Sequence, residues 1–115
     1  VPVVRRYGWP LAMAVQDGMT PKDVLVVRPL PEVIFVGGTT RWKWRSLRGW
    51  CQAFPRVHVG RVNTGGLLWK VHRCGAESSD GTGWYHHKQH QQLIRYLDRS
   101  SKGLGETDDT PLFHY

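Results

Sequence analysis

Cysteine is scarce in this chain, with two among 115 residues. That excludes a disulfide framework, and Cys51 and Cys74 read as free thiols of a reducing compartment. Long apolar runs are missing too: none approaches the roughly 18 residues that cross a bilayer, and the mean hydropathy is −0.44. No membrane role is expected. Val1–Arg6 lacks the apolar stretch that would follow the charged start of a signal peptide, so the expected location is cytoplasmic. Acid is in short supply: nine Asp and Glu face sixteen Lys and Arg, for a formal charge of +7. Metal-ligand clusters are thin. His86, His87 and His90 stand close, and His86 and His90 share a helix face, but no cysteine cluster accompanies them. They read as a solvated polar face, and neither metal nor cofactor is expected.

What is present is enough to fold one domain. Hydrophobic residues make up 40% and charged residues 22% of the chain, in a length that supports a single modest core. The basic excess, interleaved with six Trp, points to a polyanionic partner, nucleic acid first. Aromatic rings stack on bases, although Trp more often fills a core.

One pattern recurs four times, with starts spaced roughly 22–24 residues apart, as expected of short βα units with compact loops. Leu11–Gln16 is a short apolar run. Thr20 then caps a helix with Pro21 at its first position, which Pro29 and Pro31 keep short. Val33–Val36 is a β-branched and aromatic strand ending in Gly37-Gly38. Thr39 or Thr40 caps a helix to about Phe54, whose Leu47, Trp50, Cys51 and Phe54 share a face while Arg41, Arg45 and Arg48 lie mostly on the other. Arg56–Val62 holds the third strand, and Leu67–Arg73 the helix that Gly75 stops. Ser78–Gly83 is the fourth strand, followed by a helix from about His87 to Leu97 with Leu93, Ile94 and Leu97 on its apolar face. Residues 1–98 form the βα domain. Residues 99–115 read as a loose tail on which Leu112, Phe113 and Tyr115 can dock. The expected fold is α/β: four consecutive βα units with parallel strands. Two closures fit, a small open sheet or half of a (β/α)8 barrel, which in full takes about 250 residues. A glycine or an acid at each strand's carboxyl end favours the half-barrel.

Parallel strands collect their carboxyl ends on one rim. That rim gathers Gln16 and Asp17, Gly37 and Gly38, Gly60, Arg61 and Asn63, and Asp80. Turn geometry accounts for the glycines and less well for Gln16, Arg61 and Asp80. The set suits a base and a sugar phosphate. Gln16 offers an amide to a purine edge, and Asp17, Gly37, Gly38 and Gly60 join it around the base. Lys43, Arg61, Asn63, Arg41 and Arg45 are the candidate phosphate and nucleic-acid contacts. Asp80, between Ser79 and a Gly81/Gly83 turn, is placed to attack an anomeric carbon, as carboxylates do in glycosyl transfer. Its other reading is an Asx turn or helix cap.

Four segments carry a family likeness: Gln16-Asp17-Gly18-Met19, Ile34-Phe35-Val36-Gly37-Gly38, His58-Val59-Gly60-Arg61-Val62-Asn63 and Gly75-Ala76-Glu77-Ser78-Ser79-Asp80-Gly81. In this order and spacing they resemble the tRNA-guanine transglycosylase superfamily, most of all its phage and bacterial DNA 7-deazaguanine transglycosylase-like branch. The resemblance spans roughly residues 10–97. It implies that Asp80 is the nucleophile, Gln16 the base-recognising amide, and Gly37 and Gly38 the backbone that faces guanine. The family's second catalytic Asp has no counterpart here, nor has the zinc-binding Cys/Cys/Cys/His element of the tRNA enzymes. The likeness is to the carboxyl-terminal half of such an enzyme.

The resemblance implies exchange of guanine for a 7-deazaguanine base on nucleic acid, DNA ahead of RNA, by a transglycosylase that needs a second half-barrel. Self-association or a complementary half-barrel chain would supply it, because a four-strand half exposes two sheet edges and an apolar inner face. The competing reading is a non-catalytic basic module that grips nucleic acid or a protein. An open-sheet nucleotide-binding domain is the third.

Overall fold

The structure is a computed structural model and describes residues 11–85 and 87–106. Four strands alternate with helices: β1 (Ala12–Val15), α1 (Pro21–Leu25), β2 (Val33–Val36), α2 (Thr40–Ala53), β3 (Val57–Val59), α3 (Gly65–Cys74), β4 (Ser78–Ser79), a 3-10 turn (Gly83–Tyr85) and α4 (His87–Ser101). All strands are parallel, in the order β1-β2-β3-β4. A sheet wound in two directions would interrupt that order. Sequential order is what successive crossovers of one hand produce, with the helices on one face. The α/β architecture is therefore as expected, and it is compatible with half of an α/β barrel. Among the described residues no helix is long and apolar enough to cross a membrane.

Strand alternation explains which side is covered. Val15, Ile34, Val36, Val57 and Val59 point to the helices and are buried with Leu47, Trp50 and Phe54 of the α2 segment and Leu67, Leu68 and Val71 of α3. The opposite face carries Ala12, Ala14, Phe35, His58 and Ser78, of which Phe35 is 37% exposed. Register places Ala14, Phe35, His58 and Ser78 in one row across that open face.

Local chemistry sets the element ends. The Thr20 amide donates to Asp23 Oδ2 at 2.8 Å, and Pro21 opens α1. Thr64 Oγ1 accepts from the Leu67 amide at 3.2 Å at the start of α3. Gly75 closes α3 in the left-handed region, φ 84°, where a glycine pays no Cβ clash.

Several boundaries differ from the expectation: β3 stops at Val59 and does not reach Val62, and α3 begins at Gly65, two residues before Leu67. β4 is two residues long, because Gly81 is drawn into a turn: a Cβ there would lie 2.2 Å from the Val62 carbonyl oxygen. α4 runs on to Ser101, and residues 102–106 fold back on it. The Leu104 amide bonds the Arg99 carbonyl at 2.8 Å, and Arg73 pairs with Glu106 at 2.6 Å. Leu112, Phe113 and Tyr115 lie outside the described residues, as does His86 of the histidine set.

Candidate active site

The strand-end rim is built by the last rungs of the ladder. The Gly37 amide donates to Val15 O, the Gly60 amide to Val36 O and the Asp80 amide to Val59 O, each at 3.1 Å. The backbone thus fixes Gly37, Gly60 and Asp80 at equivalent positions on neighbouring strands. The Val62 amide returns to the Asp80 carbonyl at 2.6 Å, locking the β3 and β4 exits together.

Asp80 is held by a residue that sequence reasoning did not single out. His58 sits on β3 with its ring on the open face, 4.8 Å from the Phe35 ring centroid. Its Nε2 lies 2.6 Å from Asp80 Oδ2 and its Nδ1 lies 2.7 Å from Ser78 Oγ. A carboxylate only accepts, so Nε2 carries a proton. In the neutral ring Nδ1 then accepts from the Ser78 hydroxyl, and in the protonated ring it donates to it. The hydrogen bond from His58 is the main reason the Asp80 carboxyl titrates below its ordinary value; the Arg61 amide and the charges of His58 and Lys43 add to it against partial burial. Asp80 is consequently a carboxylate at neutral pH. Its Oδ2 is anchored, while Oδ1 receives only a long 3.4 Å contact from the Arg61 amide. The signal for His58 was the two-residue step: Ser78 and Asp80 share one face of a strand, and the pairing of His58 with Ser78 puts the ring between them.

Next to this array a cleft of about 600 Å³ is lined by Gln16, Asp17, Gly38, Thr39, Thr40 and Arg61. Arg61 joins the two, since its amide touches Asp80 while its side chain lines the cleft and its guanidinium donates to the Gly38 carbonyl. Its backbone is left-handed, φ 56°, which costs a non-glycine residue free energy and is tolerated where surrounding contacts hold it.

Of the expected base-binding residues, Gln16 and Gly38 line the cleft and Gly37 and Gly60 sit on the rungs beside it. Asp17 lines it too, but both its oxygens are engaged: Oδ1 accepts from the Thr39 amide at 2.7 Å and Oδ2 from the Thr39 hydroxyl at 2.6 Å. These bonds lower its pKa and tie the first unit to the start of α2. Gly38 is required where it stands. Its φ is +77°, and a Cβ would fall 2.5 Å from Asp17 Oδ1 and 2.7 Å from the Trp42 ring. Gly38→Ala should therefore lower stability by about 2 kcal/mol or more, from left-handed strain plus displacement of Asp17. Urea unfolding would read it; an unchanged midpoint would mean that the turn relaxes freely.

The expected phosphate contacts divide. Arg61, Arg41 and Arg45 are exposed. Lys43 is a correction: it is 1% exposed, and its ammonium donates to the Gly60 carbonyl at 2.6 Å and the Arg61 carbonyl at 3.1 Å. It lies on the buried face of α2 and is out of a phosphate's reach, a strut under the strained turn. Asn63 holds the turn after Asp80, its Oδ1 accepting from the Gly83 amide at 2.8 Å. Among the described residues no group of three potential metal ligands occurs.

Comparison with protein-family models, curated proteins and solved structures gives no match.

Proposed function

We propose that this chain is the carboxyl-terminal half of a (β/α)8 barrel that exchanges guanine for a 7-deazaguanine base on nucleic acid, DNA ahead of RNA. The observation that carries the reading is Asp80: an ionised carboxylate at a strand end, with one oxygen anchored by His58 and the other little engaged, beside a cleft offering the Gln16 amide. In this chemistry Asp80 Oδ1 attacks C1′ of the nucleotide, and guanine departs with the electron pair of the glycosidic bond and takes up a proton. The deazaguanine then attacks C1′, loses a proton and releases the carboxylate. Anchoring Oδ2 limits the rotation of the nucleophile, which is how positioning lowers the barrier.

The proton transfers need a second acid. The other carboxylate of the rim cleft, Asp17, has both oxygens taken by Thr39. The second half-barrel is the proposed source, a second copy or a complementary chain seated against the open face of Ala14, Phe35 and His58. The deciding experiment is incorporation of labelled guanine into DNA and into RNA, with the isolated chain and with any co-purifying chain, beside a native mass measurement. Exchange by a dimer or a complex is the expected result. Absence of exchange under every condition would leave the second reading, a nucleic-acid-binding module without catalysis, which the engagement of Asp17 favours for a chain acting alone.

A further inference from the structure

The helices of the covered face break a rule of helix electrostatics. α2 and α3 together contain no Asp or Glu. Arg41, Arg45 and Arg48 follow one another at four- and three-residue steps, all exposed. Like charges so spaced destabilise a helix, and Arg41 sits in the first turn, where the helix dipole disfavours a cation. Surface helices ordinarily mix both signs. Local stability gives no reason for this stripe.

The stripe leads into a groove of about 510 Å³ between α2 and α3, lined by Trp44, Arg45, Arg48, Lys70, Arg73 and Cys74. Four of these six are basic and none is acidic. Arg73 is neutralised in part by Glu106. Among the described residues no carboxylate pairs with Arg45, Arg48 or Lys70. The Lys70 ammonium rests 5.8 Å from the Trp44 ring centroid, which holds it at the groove. The indole nitrogen of Trp44, itself 3% exposed, has no hydrogen-bond partner.

We propose that this groove is a second anion site, a track for the phosphodiester backbone of the nucleic acid whose reacting nucleotide lies at the rim. The proposal rests on the nucleic-acid reading above. Continuity favours this occupant over an acidic protein: α2 begins at the rim, where Thr40 lines the cleft, and Arg41 to Arg48 advance about 10 Å along its axis at 1.5 Å per residue. Guanidinium groups suit phosphate oxygens by their paired donors.

The test is fluorescence anisotropy with labelled single-stranded DNA of about 20 and about 4 nucleotides over a salt series. The chain would be compared with Arg45→Gln/Arg48→Gln/Lys70→Gln, with Arg45→Lys/Arg48→Lys and with Asp80→Asn. The triple variant should bind the long strand about tenfold or more weakly, with a salt slope lower by about 2, given roughly 0.7 per phosphate contact. Its affinity for the short strand should change little. The lysine variant should keep the slope, and so should Asp80→Asn. Removing like charges spares the helix, and circular dichroism confirms the fold. An unchanged slope in the triple variant would overturn the proposal, as would polyglutamate displacing DNA at equal charge concentration, which would assign the groove to an acidic protein. Both results are read on binding, so they stand apart from the presence or absence of base exchange.

Discussion

Asp80→Asn should abolish base exchange, by about a thousandfold or more, while nucleic-acid binding survives. The amide is nearly isosteric with the carboxylate, so the hydrogen bond from His58 Nε2 can be kept by the Asn carbonyl oxygen. What is lost is the charged Oδ1 that attacks C1′. Asp80→Glu should fail as well, because one methylene moves the reacting oxygen by about an ångström and shifts the other oxygen off its anchor on His58. A structural turn residue would behave differently: Asn serves the same turn, and that variant would be nearly silent in every assay. The measurement is labelled-guanine incorporation by parent and variants, prepared with whatever chain completes the assembly. Parental activity in Asp80→Asn would sink the nucleophile assignment.

The lowered Asp80 pKa also fixes a sign. A carboxyl group whose folded pKa is depressed adds stability above its unfolded pKa, about 3.9, and loses it as pH falls through the folded value. The Asp80–His58 anchor therefore holds at neutral pH and fails in strong acid. Since Asp80 is half exposed, solvent screening keeps that contribution small.

Much of the fold was legible because its punctuation is chemical. Thr20-Pro21, Gly37-Gly38 and Gly75 each do what their backbone preferences dictate, and four units follow in order. β4 was overestimated because pattern cannot foresee that Gly81 must pass within van der Waals distance of the Val62 carbonyl. The helix end at Leu97 was set by composition, whereas Arg99 bonds the Gly105 carbonyl at 2.6 Å and draws the following residues inward. The rim was legible as a set of strand ends, and the structure places Gln16, Gly38 and Arg61 around one cleft. Roles within the rim were less so. Asp17 spends its oxygens on the amide and hydroxyl of Thr39 and Asn63 its oxygen on the Gly83 amide, partners some twenty residues away, a tertiary fact. Lys43 was different, since its spacing to Leu47, Trp50 and Phe54 puts it on the apolar face of α2. The charge of the residue argued for solvent, and the helical period argued correctly for the core.

That buried lysine yields the second large effect. Burial, followed by the charge of Arg61, lowers the Lys43 pKa from 10.5 to about 8, against a smaller opposing pull from Asp80. A basic group with a depressed folded pKa costs stability while it is charged. The cost is fully present below pH 8 and is relieved as pH rises toward the unfolded value, because there the unfolded chain binds the extra proton. A shift of 2.5 units, the difference of those two values, corresponds to about 3 kcal/mol at 1.36 kcal/mol per unit. The neutral amine still has two N–H donors for the Gly60 and Arg61 carbonyls, so the strut survives deprotonation. Lys43→Met removes this titration and leaves the others in place. The stability of the parent minus that of Lys43→Met should therefore climb by about 3 kcal/mol between pH 7 and pH 10.5. Urea unfolding at half-unit pH steps would trace the difference. A flat difference curve would show that Lys43 reaches water, and would return it to the phosphate role its charge first suggested.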